Sequence, residues 1–466
     1  GLGFTPYNST NPSGFTTFDA SGVQNAITNN VTSISGNKIN TGTLNAAQVS
    51  VINLNASNIS TGTLSADRIN ANSIDLSKLN NVVVGAGTNG NIGFGVGALA
   101  SGSTGTYFTE NVAIGYYAGN ELADPNNFTG SSKNVFIGFQ AGRYNHSGTQ
   151  NVGIGNKACG GDNTGSTPPT GYMNVAIGSE CLESLRDGNL NVAIGTATMS
   201  RASQCDGTVA LGYQTFIDAN ANSDFNVCIG HYAATDLGDS NYGTNYGGAS
   251  NNVMIGHYVG YLPSGNTGYH LFGGNENVLI GRNARTNAYA NRAASNQIAI
   301  GAHAQARGAN TATIGNSSVS SIGGYANWSN LSDERDKISI TDLSLGLNLV
   351  NTITPKKFKL NPRDLYYSAD PSSSEEDEQP NLIFDQENFD KGTKARADFS
   401  YGFLAQEVKE KVDALDSDPT SVIDESDSEK LYFRSSELIA VLWKAVQELS
   451  TKNDALEARI ATLEGG

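Results

Sequence analysis

Positive charge is the first thing this chain has little of. Lysine and arginine total 28 against 44 acids in 466 residues, a formal net charge of -16. Residues 331–466 carry 28 of the acids and 16 of the bases, which is -12 of that total. The body before them is nearly neutral, with no basic stripe to hold phosphates, so no nucleic-acid partner is expected. Long apolar runs are missing too: none approaches the ~20 residues of a membrane-spanning helix. No signal peptide is recognisable, so export by a standard leader is not expected. The start at Gly1 without methionine is what a fragment would show. Cysteine is scarce. Cys159, Cys181, Cys205 and Cys228 are irregularly spaced, with neither metal-ligand spacing nor a disulfide framework, so no metal, cofactor or required disulfide is expected. Cys181 stands where other repeats place alanine and reads as a small buried hydrophobe.

What is present points to repetition. Fifty-four glycines with only 15% charged residues imply a turn-rich β protein. After an N-terminal connector (1–33), residues 34–81 form a shaft with a five-residue period. Ile34, Ile39, Leu44, Val49, Leu54, Ile59, Leu64, Ile69, Ile74 and Leu79 are all apolar. That period fits neither a helix nor a flat strand. Two arrangements suit it: three chains sharing a narrow apolar axis, or a single-chain pentapeptide coil.

Residues 82–327 follow a second repeat. Asn-Val-x-Ile-Gly occurs at 111–115, 134–138, 151–155, 174–178, 191–195, 226–230, 252–256 and 277–281, with degenerate copies from Asn91, Thr208, Gln297 and Thr311. Val and Ile two apart share one strand face, and the glycine ends the strand at a turn. Three residues past that glycine comes a small residue: Ala118, Ala141, Ala158, Cys181, Thr198, Ala233 or Ala304. Two short strands per coil are expected. One coil would bury roughly two aliphatic side chains, worth about 1.5–3 kcal/mol each. Ordering its backbone costs about 1–2 kcal/mol per residue. A lone repeat therefore loses, and only a stack recovers the difference. The repeat unit resembles the left-handed β-roll in the heads of trimeric autotransporter adhesins.

The last segment changes period again. Ile439, Val446, Asn453 and Ile460, with Leu442, Leu449, Leu456 and Leu463, make a heptad seam within a coiled-coil helix expected over 437–464. Asn453 reads as a register-fixing polar residue or a tolerated defect. Ahead of it, where the repeat body ends, stands Ser332-Asp333-Glu334-Arg335-Asp336-Lys337. A serine needs a base to take its proton, and a lysine can serve if burial lowers its pKa from ~10.4. Five-residue spacing does not share a helix face, so a turn, a strand end or a neighbouring chain must join the two.

This hexapeptide, with Ile338-Ser339-Ile340, Tyr401-Gly402-Phe403-Leu404-Ala405-Gln406-Glu407-Val408 and a helix opening at Glu437-Leu438-Ile439, resembles the intramolecular chaperone auto-processing domain. That domain ends phage tail fibres, tailspikes and endosialidases. The resemblance covers about residues 328–466 and departs in the acidic run 372–378, read as a disordered surface loop. It implies Ser332 as nucleophile, Lys337 as base, and Leu331–Ser332 as the scissile bond, with Asp333 and Arg335 in structural support.

The fold class expected is mainly β: a trimeric β-roll or β-helix fibre with a helical coiled-coil chaperone at its C-terminus. The function implied is a homotrimeric phage tail fibre for host recognition, made in the host cytoplasm and placed in the virion tail. Its partners would be a cell-surface glycan or protein receptor and, through the N-terminus, other virion tail proteins. His231, Tyr232, His257 and Tyr258 hold equivalent places in successive repeats, and Tyr242 and Tyr246 lie in a loop between them. Tyr269-His270-Leu271-Phe272 repeats similar chemistry. Tyrosine rings pack on sugar faces while amides bond hydroxyls, so these are the receptor-binding candidates. Without carboxylate or cysteine partners the histidines suggest no metal. The alternative is a tailspike depolymerase, which would need paired carboxylates. Asp236 with Asp239 and Glu180 with Glu183 are the pairs on offer. A bacterial adhesin of the autotransporter type is disfavoured by the auto-processing motif.

Overall fold

In a computed structural model of the chain, the structure describes residues 82–84, 90–100, 108–122, 131–161, 171–202, 204–217, 223–235, 237, 248–260, 274–286, 295–369, 382–416, 422–427 and 430–466. The connector (1–33), the pentad shaft (34–81), the 269–272 stretch and the 372–378 run lie outside the described residues.

All twelve copies of the Asn-Val-x-Ile-Gly repeat become three-residue strands. They are β2 (Ile92–Phe94), β3 (Val112–Ile114), β4 (Val135–Ile137), β5 (Val152–Ile154), β6 (Val175–Ile177) and β7 (Val192–Ile194). They continue as β8 (Val209–Leu211), β9 (Val227–Ile229), β10 (Val253–Ile255), β11 (Val278–Ile280), β12 (Ile298–Ile300) and β13 (Ala312–Ile314). An additional strand, β1 (Val82–Val84), lies antiparallel to β2. From β2 onward each strand pairs parallel with the next in chain order. Equivalent positions are opposite one another, as in Val152 with Val175 and Ile154 with Ile177. The chain is mainly β, and this part of it is a β-solenoid.

The side chains that fill the solenoid are not those the repeat suggests. Val and Ile, the constant pair, face outward; Ile114 and Ile194 are each 40% exposed. The variable residue between them points in: Ala113, Phe136, Ala176, Ala193, Ala210, Cys228, Met254, Leu279 and Ala299 are wholly buried. With the small residues past each glycine, they form one continuous core from Leu99 to Ala306. Volume is matched between coils. Gly153 occupies the inward position above Phe136, and a Cβ there would lie 2.9 Å from the Phe136 ring.

The leading asparagine is structural. Asn174 Oδ1 accepts from the Asn191 backbone N–H at 3.0 Å and from Asn191 Nδ2 at 2.9 Å. Its own Nδ2 donates to Asn151 Oδ1 at 3.1 Å and to the Gly188 carbonyl at 2.8 Å. Each buried amide thereby satisfies polar groups on neighbouring coils, which a desolvated backbone requires. Thr208 replaces one rung: its N–H donates to Asn191 Oδ1, and its Oγ1 accepts from the Asn226 N–H at 3.3 Å.

The second expected strand of each coil is a turn. Residues such as Tyr117, Gln140, Lys157, Glu180, Tyr232 and Tyr258 take φ of +53° to +57° two places past the glycine. Left-handed residues break strand geometry, yet their backbones still bond from coil to coil, as Leu182 N–H does to the Thr198 carbonyl at 3.0 Å. The motif glycine is obligatory. Gly115 has φ +135°, and a Cβ there would lie 2.3 Å from the Gly138 carbonyl oxygen.

The C-terminal region has its own core. Helix α1 (Leu347–Val350), helix α2 (Gln386–Asp390), helix α3 (Ala405–Leu415) and helix α4 (Glu437–Glu464) accompany three two-stranded sheets. The sheets pair β14 (Lys356–Lys359) with β17 (Phe399–Gly402), β15 (Tyr367–Ala369) with β16 (Leu382–Phe384), and β18 (Ile423–Asp427) with β19 (Lys430–Phe433). Leu345, Leu349, Ile353, Val408, Val412, Val422, Leu438 and Val441 pack together. Val408 and Val412, four apart, share the buried face of α3. Only the start of α4 joins this core. No coiled coil forms within one chain: Ile439, Val446, Leu449 and Leu463 all stay exposed. Asn453 Nδ2 instead donates to Glu457 on its own helix at 2.8 Å.

Candidate functional sites

The hexapeptide folds into a single short turn. Asp333, extended at φ -68° and ψ 137°, caps a 3-10 helix spanning Glu334–Asp336, and its carboxylate accepts from the Arg335 backbone N–H. Arg335 curls back onto the same carboxylate: Nε lies 3.0 Å from Oδ1 and Nη2 lies 2.6 Å from Oδ2. The Arg335 side-chain bonds, then its backbone N–H, hold the Asp333 carboxyl below the usual carboxylate range. Asp333 in turn raises the Arg335 guanidinium.

The turn reverses the chain, and Lys337 leaves it extended with its N–H on the Glu334 carbonyl. Lys337 Nζ then stands 2.8 Å from Ser332 Oγ and 3.2 Å from the Ser332 carbonyl oxygen. A 3-10 turn thus joins the two residues that a straight helix would separate. A neutral lysine at this distance can take the hydroxyl proton, and a charged one can donate to the oxygen. Leu331, Ser332 and Lys337 are all exposed in the single chain.

A second set of residues lies along the outer turns of the solenoid. His231 and His257 directly follow the glycines of β9 and β10, and their rings lie 5.1 Å apart. Tyr232 and Tyr258, one place on, are parallel to within 2° at 5.1 Å. Register extends the column in both directions. Tyr213 stacks on His231 at 5.0 Å, and Arg282 Nη2 meets His303 Nε2 at 2.8 Å. Tyr213, Arg282 and His303 were not among the sequence candidates, although their places after the motif glycines carry the signal. Burial, then His231 and Arg282, lower the His257 pKa; burial, then Arg282 and Arg285, lower that of His303. Tyr116 and Phe139 make a similar stack near the other end, at 5.4 Å and 7°. Tyr242 and Tyr246 lie outside the described residues.

Of the two carboxylate pairs, only Glu180 with Glu183 lies among the described residues. Glu183 is bonded to Lys157 at 2.9 Å, and Asp236 and Asp239 lie outside the described residues. Among the described residues no His, Cys, Asp and Glu group could hold a metal. The four thiols are buried and form no disulfide. Burial pushes Cys181 and Cys205 up to about 12 and Cys159 and Cys228 higher still, which leaves them unreactive packing groups. No helix among the described residues is long and apolar enough to cross a membrane. No protein-family model, curated protein or solved structure matches the chain.

Proposed function

We propose that this chain is a homotrimeric phage tail fibre whose C-terminal region is an intramolecular chaperone that cuts itself free at Leu331–Ser332. The observation that carries the reading is the 2.8 Å approach of Lys337 Nζ to Ser332 Oγ, held by the Asp333-capped turn. This turn stands where the solenoid ends and the helical tail begins.

In the proposed reaction Lys337 takes the Ser332 hydroxyl proton. Oγ bonds to the carbonyl carbon of Leu331, on its own chain or a neighbouring one, and the Leu331–Ser332 C–N bond breaks. The proton passes to the freed amine, and water then hydrolyses the ester. Asp333 and Arg335 shape the turn and take no proton. Lys337 is exposed in one chain, so its desolvation belongs to the trimer. Cutting would therefore report assembly.

Two outward apolar faces support the trimer. The Val and Ile columns run along the solenoid, and the heptad seam runs along α4. Among the described residues the solenoid columns are half-buried to exposed and the seam is exposed, and apolar surface on that scale marks an interaction face. Covering it is worth about 25 cal/mol per Å². The Tyr213–His231–His257 column, with Tyr232 and Tyr258, is the proposed surface for a host glycan or protein receptor. Location in the virion tail and contact with other tail proteins through the N-terminus complete the reading. Glu183, committed to Lys157, lends no support to a depolymerase.

The test is a denaturing gel of freshly expressed chain beside Ser332→Ala, with intact mass on each band. Pieces of 331 and 135 residues in the parent and one 466-residue chain in the variant are expected. A parent that stays whole would remove self-processing and leave an attached trimerisation region.

A further inference from the structure

The scissile bond sits at the end of an exposed segment. Residues 320–331 are all exposed, and a Cβ on Gly323 or Gly324 would meet no atom within 4 Å. Tyr325 and Trp328 extend fully into solvent. Cutting here removes a tether and no packing.

The contacts between solenoid and tail lie elsewhere, and they join residues before the cut to residues after it. Arg307, on the last coil, places Nη1 3.2 Å from Asp424 Oδ2 on β18. Its guanidinium carbon lies 4.5 Å over the Tyr432 ring on β19. Asp424 is only 8% exposed and also faces Arg434 at 3.6 Å. Gly308 comes so close that a Cβ would lie 2.6 Å from the Ser426 carbonyl oxygen. On the other side, Arg396 Nη2 donates to the Val319 carbonyl at 2.6 Å and to the Ser317 carbonyl at 3.4 Å. Two arginines, one on each partner, thus reach across to a buried carboxylate and to a bare backbone edge.

Asp424 is committed to this contact. Burial is the strongest influence and opposes its ionisation. The Ser426 hydrogen bonds and the charges of Arg307 and Arg434 together outweigh it and keep the carboxyl below the usual range. A buried carboxylate left without Arg307 would lose its nearest cation, and breaking a buried pair in that way is strongly unfavourable. The guanidinium stacked on Tyr432 adds a cation–π contact to the same side chain.

We propose that Arg307, Asp424, Tyr432 and Arg396 form a clamp that holds the C-terminal fragment on the last coil after the chain is cut. This rests on the self-processing reading, and it makes cleavage and release two separate events. The fragment's partner surface is the end of the solenoid, through Arg307 and Gly308 before β13 and Ser317 and Val319 after it.

The experiment supplies the cut from outside, so it does not depend on self-processing. A sequence-specific protease site replaces residues within 320–330 of the full-length chain carrying Ser332→Ala. After cleavage the sample is run on size exclusion in low-salt buffer, and the fragments are then followed by dilution. Co-elution of the two pieces is expected in this parent. Arg307→Met is expected to weaken retention on the order of 10²-fold, as for a broken buried ion pair, and Arg396→Met to weaken it by a smaller factor. Arg396→Met touches only two backbone carbonyls of the solenoid end, so it reports even if Arg307→Met fails to fold. Pieces that separate at once in the parent, or arginine variants that hold as tightly as the parent, would overturn the clamp. A chain without the inserted site that never cuts itself would remove self-processing alone and leave the clamp result standing.

Discussion

Replacing Asn174 by alanine removes one rung of the buried amide ladder, and its effect follows from the bonds that rung makes. The substitution strands the Asn191 backbone N–H, one N–H of the Asn191 amide and the Gly188 carbonyl. Asn151 Oδ1 keeps the Asn174 backbone N–H at 2.9 Å. Three buried groups without partners cost about 1–3 kcal/mol each, so the loss is at least about 3 kcal/mol. Local opening should then be on the order of 10²-fold more frequent. Hydrogen exchange read by mass spectrometry over residues 188–195 measures this directly, and it does not need the solenoid to unfold in one step. Asn174→Thr is the internal control, because Thr208 fills the same rung in the native chain with a longer bond to Asn226. It should fall between parent and alanine. Exchange in Asn174→Ala within about threefold of the parent would refute the ladder as a source of stability.

Other perturbations test other parts. Gly115→Ala sets a side chain 2.3 Å from the Gly138 carbonyl at φ +135°, so the stack should not close and soluble yield should collapse; a soluble variant with unchanged circular dichroism would contradict the stacking geometry. Ile154→Asp with Ile177→Asp charges the outward column without touching the inner core. Light scattering should find a monomer with intact β signal, and a persistent trimer would show that this column is not an interface. His257 and His303 have folded pKa values below the ordinary 6.5. The unfolded chain therefore binds more protons in that window. Stability from them is present above 6.5 and lost as pH falls from there through the folded values. Thermal midpoints of the parent should drop slightly over that fall, and a His257→Gln, His303→Gln chain should drop less; equal drops would discard the assignment.

The solenoid was legible because each of the twelve motif copies marks one strand and its glycine marks one corner. Which face turned inward was not. Alternation with period two distinguishes the faces only when one of them is polar. Here both are apolar, with constant Val and Ile outside and a varying Ala, Phe, Cys, Met or Leu inside. The constant pair looked like a core because it is uniform; the true core varies because Phe136 is offset by Gly153. The turn that replaces a second strand was hidden for another reason. Tyr117, Lys157 and Tyr258 have no intrinsic preference for positive φ, and only coil-to-coil stacking places them there. At the junction, spacing alone excluded a shared helix face for Ser332 and Lys337. The device that joins them, Asp333 capping the turn and receiving Arg335, was in view as Asp-x-Arg without its geometry. The aromatic column was half found, since repeated His-Tyr pairs stand out in a string while Tyr213 and Arg282 align only in register.

The account ties cutting to assembly, and one measurement bears on that link most directly. Unfolded Ser332-bearing chain is diluted into folding buffer across a range of chain concentrations, and samples are quenched in acid for intact mass. If three chains must pack to desolvate Lys337, the 135-residue fragment should appear later as the chain is diluted and should not form while the chain is monomeric. Full cleavage at a rate independent of concentration, in samples that contain only monomer, would contradict it.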